Sequence, residues 1–230
     1  MGTPYSEPVP IDQLVVGFDL DMTLVDSADG ITATLQSAVR NFPGGEQVRI
    51  DREQVWPWVG LPLEPMIVAL VPQFEPTEVI RSYRARYAEV GVPLTRLLPG
   101  AVEAIRAVHA VDGRVLVVSA KVEAGVHEVL TAVGLDHHDL KPDLVVGGLF
   151  GAAKGARLIT EEAAVYVGDH PGDVEAAQVA GAVSVAVVTG PQTAATLISA
   201  GADVVLDDLV GFPDWLSTFL PGFNRSRASR

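Results

Sequence analysis

The run "VVGFDLDMTLVDS", Val15 to Ser27, ends an apolar stretch in two carboxylates, Asp19 and Asp21, with Thr23 following. Further along, "RVLVVSAK" closes on Ser119, Ala120 and Lys121, and "VYVGDHPGD" on Asp169 and Asp173. Acidic oxygens gathered at the ends of buried segments repel one another unless a cation lies among them. An all-oxygen set suits Mg²⁺ better than a softer metal. Such an ion would hold a phosphoryl group. A carboxylate beside it can attack phosphorus, and a second carboxylate two residues on can protonate a leaving alcohol and later deprotonate water. The charge on the transferring group calls for hydrogen-bond donors and a cation. Ser119 offers the hydroxyl, and Lys154, in "FGAAKGARL", offers the ammonium.

Those residues need elements that bring them together. Six Val-rich runs, at 14–18, 114–119, 143–148, 164–169, 183–188 and 203–208, are continuously apolar rather than alternating. That pattern predicts strands covered on both faces, as in a parallel sheet. Helical spacing lies between most of them. Val102, Ile105, Val108 and Val111 share one face, and Val126, Val129, Leu130 and Val133 another. Strand alternating with helix predicts an open α/β fold, in which ligands bind beyond the carboxyl ends of the strands. The stretch from 27 to 97 breaks this rhythm. Ile31, Leu35, Val39 and Phe42, then Val79, Ile80, Tyr83 and Tyr87, recur at helical spacing. No strand is expected there, so the reading is an all-helical insertion between core segments 1–26 and 98–222, with 223–230 as a flexible tail.

Composition narrows the partners. The chain has 230 residues and a formal net charge of −13, which argues against nucleic acid, because binding it rests on clustered Lys and Arg. The basic run "NRSRASR" reads as a frayed end. Cysteine is absent, so disulfides and thiolate metal sites are excluded. "MGTPYSEPVPIDQ" lacks a basic region followed by an apolar stretch, so no secretory signal is expected, and no apolar segment reaches membrane-spanning length. The expectation is a cytoplasmic protein acting on a small phosphorylated metabolite, with neither nucleic acid nor membrane as partner and the oligomeric state open.

Taken in order, "DLDMT", "VLVVSA", Lys154 and "VGDHPGD" resemble the motifs of the haloacid dehalogenase-like hydrolases, in particular their phosphoglycolate-phosphatase-like branch with a helical cap inserted after the first motif. The resemblance implies a Rossmann-like parallel-sheet core with helices on both faces, and a Mg²⁺-dependent phosphatase acting on a phosphoglycolate-like or sugar phosphate. It implies Asp19 as nucleophile and metal ligand, and Asp21 as acid/base with its backbone carbonyl on the metal. Asp169 would be a further ligand, and Asp173 a ligand or an anchor behind one. Ser119, Ala120 and Lys154 would hold phosphate, and Thr23 would orient the first loop. Met22 stands where the family most often has glycine, so that position is expected not to need a glycine-only conformation. Lys141 is the rival of Lys154. In the cap, Trp56 and Trp58 read as core packing, or else Trp58 and the Gly60 bend face the site and help choose the leaving group. Arg52, Arg81, Arg84 and Arg86 are candidates to meet an anionic leaving group. His170 reads as peripheral or substrate-orienting rather than as a metal ligand, and His137 and His138 as surface turn residues. Alternatives are a phosphomutase of the β-phosphoglucomutase type and a non-catalytic ligand-binding relative.

Overall fold

The computed structural model describes residues 13–228. Residues 1–12, on which the expectation about a secretory signal rests, lie outside them, as do the last two residues of the basic run. Val15–Phe18 forms β1, and a turn leads to a two-residue strand, β2 (Val25–Asp26). Helices α1 (Ala28–Val39), α2 (Arg52–Val55), α3 (Leu63–Leu70) and α4 (Pro76–Val90) follow, before β3 (Arg96–Leu97) pairs antiparallel with β2. Strand and helix then alternate through α5 (Ala101–His109), β4 (Arg114–Val118), α6 (Glu123–Ala132), β5 (Leu144–Val146), α7 (Ala152–Thr160) and β6 (Val165–Gly168). The chain ends with α8 (Pro171–Ala180), β7 (Val183–Val187), α9 (Ala194–Ala200), β8 (Val204–Leu206) and α10 (Phe212–Ala228).

All six Val-rich runs are strands of one parallel sheet, ordered β5-β4-β1-β6-β7-β8. Successive side chains of a strand point to opposite faces. Val16, Phe18, Val117 and Val167 therefore pack on one side with Ile105 of α5 and Phe212 of α10, while Val15, Leu116, Val118 and Tyr166 meet Leu158 of α7 and Ala176 of α8 on the other. Two covered faces favour apolar residues at nearly every position, which is why the runs do not alternate; the buried Ser184 of β7 is an exception. Each large side chain so buried contributes about 1.5–3 kcal/mol. Among the described residues no helix is long and apolar enough to cross a membrane.

Between β2 and β3, Ile31, Leu35 and Val39 of α1 and Val79, Tyr83 and Tyr87 of α4 are buried, as their spacing predicts. The approach near the start of α1 is close: a Cβ on Gly30 would lie 2.4 Å from the Gly91 carbonyl oxygen. Arg52 ties α2 to α1 through ion pairs with Asp29 at 2.7 Å and Asp26 at 3.3 Å. It is a brace between elements rather than a cation presented to a leaving group.

Three expectations are corrected. The stretch from 27 to 97 does hold a strand, β3, whose pairing arises because the chain's two crossings between core and helices lie side by side; two exposed residues have no periodicity to read. Val111 is 41% exposed, because α5 stops at His109 and the chain turns at Asp112 with φ 56°. The final helix continues to Ala228, past the expected start of a tail at 223. Phe212, Trp215, Phe219 and Phe223 stack along it with centroids 5.4, 5.2 and 5.6 Å apart. Pro221 and Gly222 read locally as a stop, but the aromatic stripe is held against the core and carries the helix through them.

Gly30→Ala should lower the unfolding free energy by about 1–3 kcal/mol, since α1 and α4 must separate to admit one methyl group. Urea denaturation measures this, and an unchanged midpoint would show that the contact is loose.

Candidate active site

In the sheet β1 lies between β4 and β6, so the segments leaving their carboxyl ends are neighbours. Asp19 follows β1, Ser119 follows β4 and Asp169 follows β6. The Asp19 N–H donates to the Val167 carbonyl at 2.8 Å and the Ser119 N–H to that of Val146 at 3.0 Å, which extends the ladder into the site. Asp173 sits in the first turn of α8. Its Oδ2 accepts from the His170 N–H at 3.2 Å, while His170 Nδ1 accepts from the Gly172 N–H at 3.0 Å, so His170 caps the helix. Lys154, in the first turn of α7, is only 1% exposed, and its Nζ donates to Asp19 Oδ1 at 2.8 Å and to Asp173 Oδ1 at 2.7 Å. Lys141 is exposed beside a surface turn, and His137 and His138 are exposed in that turn. Of the two rival lysines, the structure brings Lys154 to the carboxylates.

The loop after β1 contradicts the expectation for Met22, whose φ is +58°, in the left-handed region. That conformation costs a non-glycine residue of order 1 kcal/mol, and persists only where its surroundings over-determine it. Here the Met22 N–H donates to Val25 at 2.7 Å, its carbonyl accepts from the Thr189 hydroxyl, and its side chain is buried in the core. Thr23, fully buried, donates to Asp169 Oδ1 at 3.4 Å and ties this loop to the end of β6.

One oxygen from each of Asp19, Asp169 and Asp173 falls within 4.8 Å of the others. Burial pushes the Asp19 carboxyl up to about 7, against the pull of Lys154. Burial, reinforced by Asp173 and Asp19, pushes Asp169 well above the carboxylate range. Burial also acts to discharge Lys154, but Asp173 and Asp19 outweigh it and keep the ammonium protonated. One cation among three carboxylates leaves excess negative charge. Asp169 Oδ2 is buried with no hydrogen-bond partner among the described residues. A compact set of hard oxygens with one orphaned oxygen fits a divalent cation such as Mg²⁺.

Asp21 has different company. Its Oδ2 lies 3.2 Å from Lys121 Nζ, which sits 4.3 Å from the centroid of the Tyr87 ring, and its Oδ1 is buried without a hydrogen-bond partner among the described residues. Burial would lower the Lys121 pKa, yet the attraction of Asp21 and then of Tyr87 and Tyr83 holds it above the ordinary lysine value. Asp21 opens onto a cavity of about 480 Å³ that Ala120, Trp58 and Gly60 also line. A Cβ on Gly60, at φ +85°, would stand 4.0 Å from Asp169 Oδ1, so the bend before α3 reaches the carboxylates. Trp56 packs against the core, with Arg52 5.3 Å over its ring. Arg81 pairs on the surface with Glu78, Arg86 bonds Ser82, and Arg84 reaches the cavity.

Sequence reasoning named Lys121 at the end of its strand without giving it a role, and did not single out Gly190. Lys121 stands two positions after Ser119 on the same loop, and its N–H donates to Ser119 Oγ at 3.2 Å; its position in the motif was the available signal. Gly190, after β7, carried none: a Cβ there would fall 1.8 Å from Asp169 Oδ2.

Magnesium chloride added to metal-free protein should raise the thermal midpoint. Asp169→Asn should raise the midpoint without metal near neutral pH, because folding then no longer has to protonate or bury the Asp169 carboxylate, and should abolish the magnesium shift. Gly190→Ala should shrink that shift by displacing the Asp169 carboxylate. Scanning calorimetry with chelator and with Mg²⁺ measures all three, and an unchanged response in Asp169→Asn would dissociate this cluster from the metal.

Comparison with known proteins shows what the whole chain is similar to. The family model for haloacid dehalogenase-like hydrolases matches residues 16–178. The chain is 31% identical over 210 residues to a protein named probable phosphatase IndB from Dickeya dadantii, covering 84% of this chain and 89% of that one. It is 26% identical over 216 residues to a phosphoglycolate phosphatase from Haemophilus influenzae, covering 84% and 94%. Its fold is shared with a haloacid dehalogenase-like family hydrolase from Streptococcus pneumoniae, at TM-score 0.74 and 20% identity over 90% of this chain and 98% of that one.

Proposed function

The chain belongs to the haloacid dehalogenase-like hydrolases, in their phosphoglycolate-phosphatase-like branch, and on that premise we propose that it is a Mg²⁺-dependent phosphatase hydrolysing a small phosphate monoester through a phosphorylated Asp19. The observation that carries this reading is the division of labour between two carboxylates a single residue apart. Asp19 is held by Lys154 among the acidic oxygens, whereas Asp21 is paired with Lys121, lines the cavity and has one buried oxygen without a hydrogen-bond partner among the described residues. Environments that separate two such groups assign them different roles.

Asp19, Asp169 and Asp173, with the Asp21 backbone carbonyl, would hold the ion. When bound, magnesium would offset the carboxylate charge and polarise the phosphoryl oxygens. In this mechanism Asp19 attacks phosphorus as the ester P–O bond breaks, and Asp21 gives its proton to the departing alcohol oxygen. The Asp21 carboxylate then takes a proton from water, which displaces the Asp19 carboxylate from phosphorus, releasing inorganic phosphate and restoring both residues. Lys154, Ser119 and the Ala120 N–H would stabilise the charge on the transferring group. The segment from 27 to 97 would act as a cap that excludes bulk water; the proximity of Gly60 to Asp169 and of Tyr87 to Lys121 supports that role. The setting is expected to be the cytoplasm.

Asp19→Asn should lower phosphate release from p-nitrophenyl phosphate and a metabolite panel by at least about 10³-fold. Retained turnover in that variant would defeat the assignment. Tracing labelled phosphoryl to water rather than to a second sugar oxygen separates a hydrolase from a mutase.

A further inference from the structure

The cavity beside Asp21 carries information about the leaving group that the catalytic residues do not. Resting on the phosphatase reading, we propose that the substrate is the phosphate ester of an alcohol bearing a flat ring, aromatic or heteroaromatic, in preference to a two- or three-carbon hydroxy acid.

Size is the first argument. At about 30 Å³ for each water-sized group, glycolate occupies at most about 150 Å³, whereas the cavity measures about 480 Å³. A two-carbon leaving group would leave most of that space to water beside Asp21. A ring-bearing alcohol fills it, within the size range of ordinary small-molecule pockets.

Surface chemistry is the second. Tyr83 and Tyr87, one turn apart on α4, present stacked rings with centroids 5.6 Å apart and planes 22° from parallel. Trp58, Met66 and Ile31 also line the cavity. Together they form a slot with an aromatic wall, suited to a planar group.

Charge is the third. Asp21, Glu64 and Glu128 line the cavity against Lys121 and Arg84, so its acidic groups outnumber the basic ones. Lys121 is engaged by Asp21 at 3.2 Å, and Arg84 is exposed. Neither is a buried, uncommitted cation for the carboxylate of a hydroxy acid.

The test compares kcat/KM for esters of unactivated alcohols: benzyl phosphate and a ribonucleoside 5′-monophosphate against ethyl phosphate and phosphoglycolate. The ring-bearing esters should be favoured by at least about tenfold, as one good aromatic contact provides. Tyr83→Leu should remove most of that preference while sparing ethyl phosphate. Leu63→Trp, which narrows the cavity from α3 should Tyr83→Leu fail to fold, should do likewise. Turnover of phosphoglycolate or ethyl phosphate at equal or higher kcat/KM would overturn the proposal and leave the phosphatase reading intact. Calorimetric binding of benzyl phosphate to wild type and Asp19→Asn without turnover of any ester would support the slot and overturn hydrolysis. Neither binding nor turnover would overturn both.

Discussion

A single buried ammonium makes the rest of this arrangement tenable. Lys154 Nζ lies within 3 Å of both Asp19 and Asp173, inside a cluster where three carboxylates are almost wholly removed from water. Ionised carboxylates in such surroundings are costly, and breaking a buried pair by removing one partner typically costs about 3–5 kcal/mol. Yet one cation among three acids does not neutralise them. Burial first, and then the neighbouring acids, raise the Asp19 and Asp169 carboxyls, and a divalent ion held there would relieve that electrostatic deficit.

The surrounding fold holds that imbalance in place by cross-ties from separate segments. The backbone after β1 hangs on β6 through Asp19 and Val167, Thr23 reaches Asp169, and the Thr189 hydroxyl seizes the Met22 carbonyl. These tethers account for a methionine in the left-handed region. Its local cost is of order 1 kcal/mol, small beside what several hydrogen bonds and a buried side chain return. Gly190 completes the enclosure by keeping the Asp169 carboxylate free of a neighbouring side chain.

Where the core meets the helical segment, Lys121 joins Asp21 from the sheet side to Tyr87 on α4. The acidic residue facing the cavity is thereby coupled to the helix that supplies the cavity's aromatic wall. On the proposed reading, chemistry would sit on the strand ends and selectivity on the helices that cover them.

The amino-acid pattern by itself pointed to the architecture: unbroken Val-rich runs suit strands buried on both faces, and the 3.6-residue spacing of Ile31, Leu35 and Val39 or of Val79, Tyr83 and Tyr87 suits amphipathic helices. It also placed Asp19, Ser119 and Asp169 at strand ends, because a short motif follows its strand wherever the strand goes. Tertiary structure alone decided the remainder. The pairing of β2 with β3, the passage of α10 through Pro221, the left-handed Met22 and the approach of Gly190 to Asp169 depend on partners far away in the chain, and no local period encodes them. The pairing of Asp21 with Lys121, apart from Asp19, is decided likewise. A charge takes its role from what is packed around it, and that is set only when the segments converge.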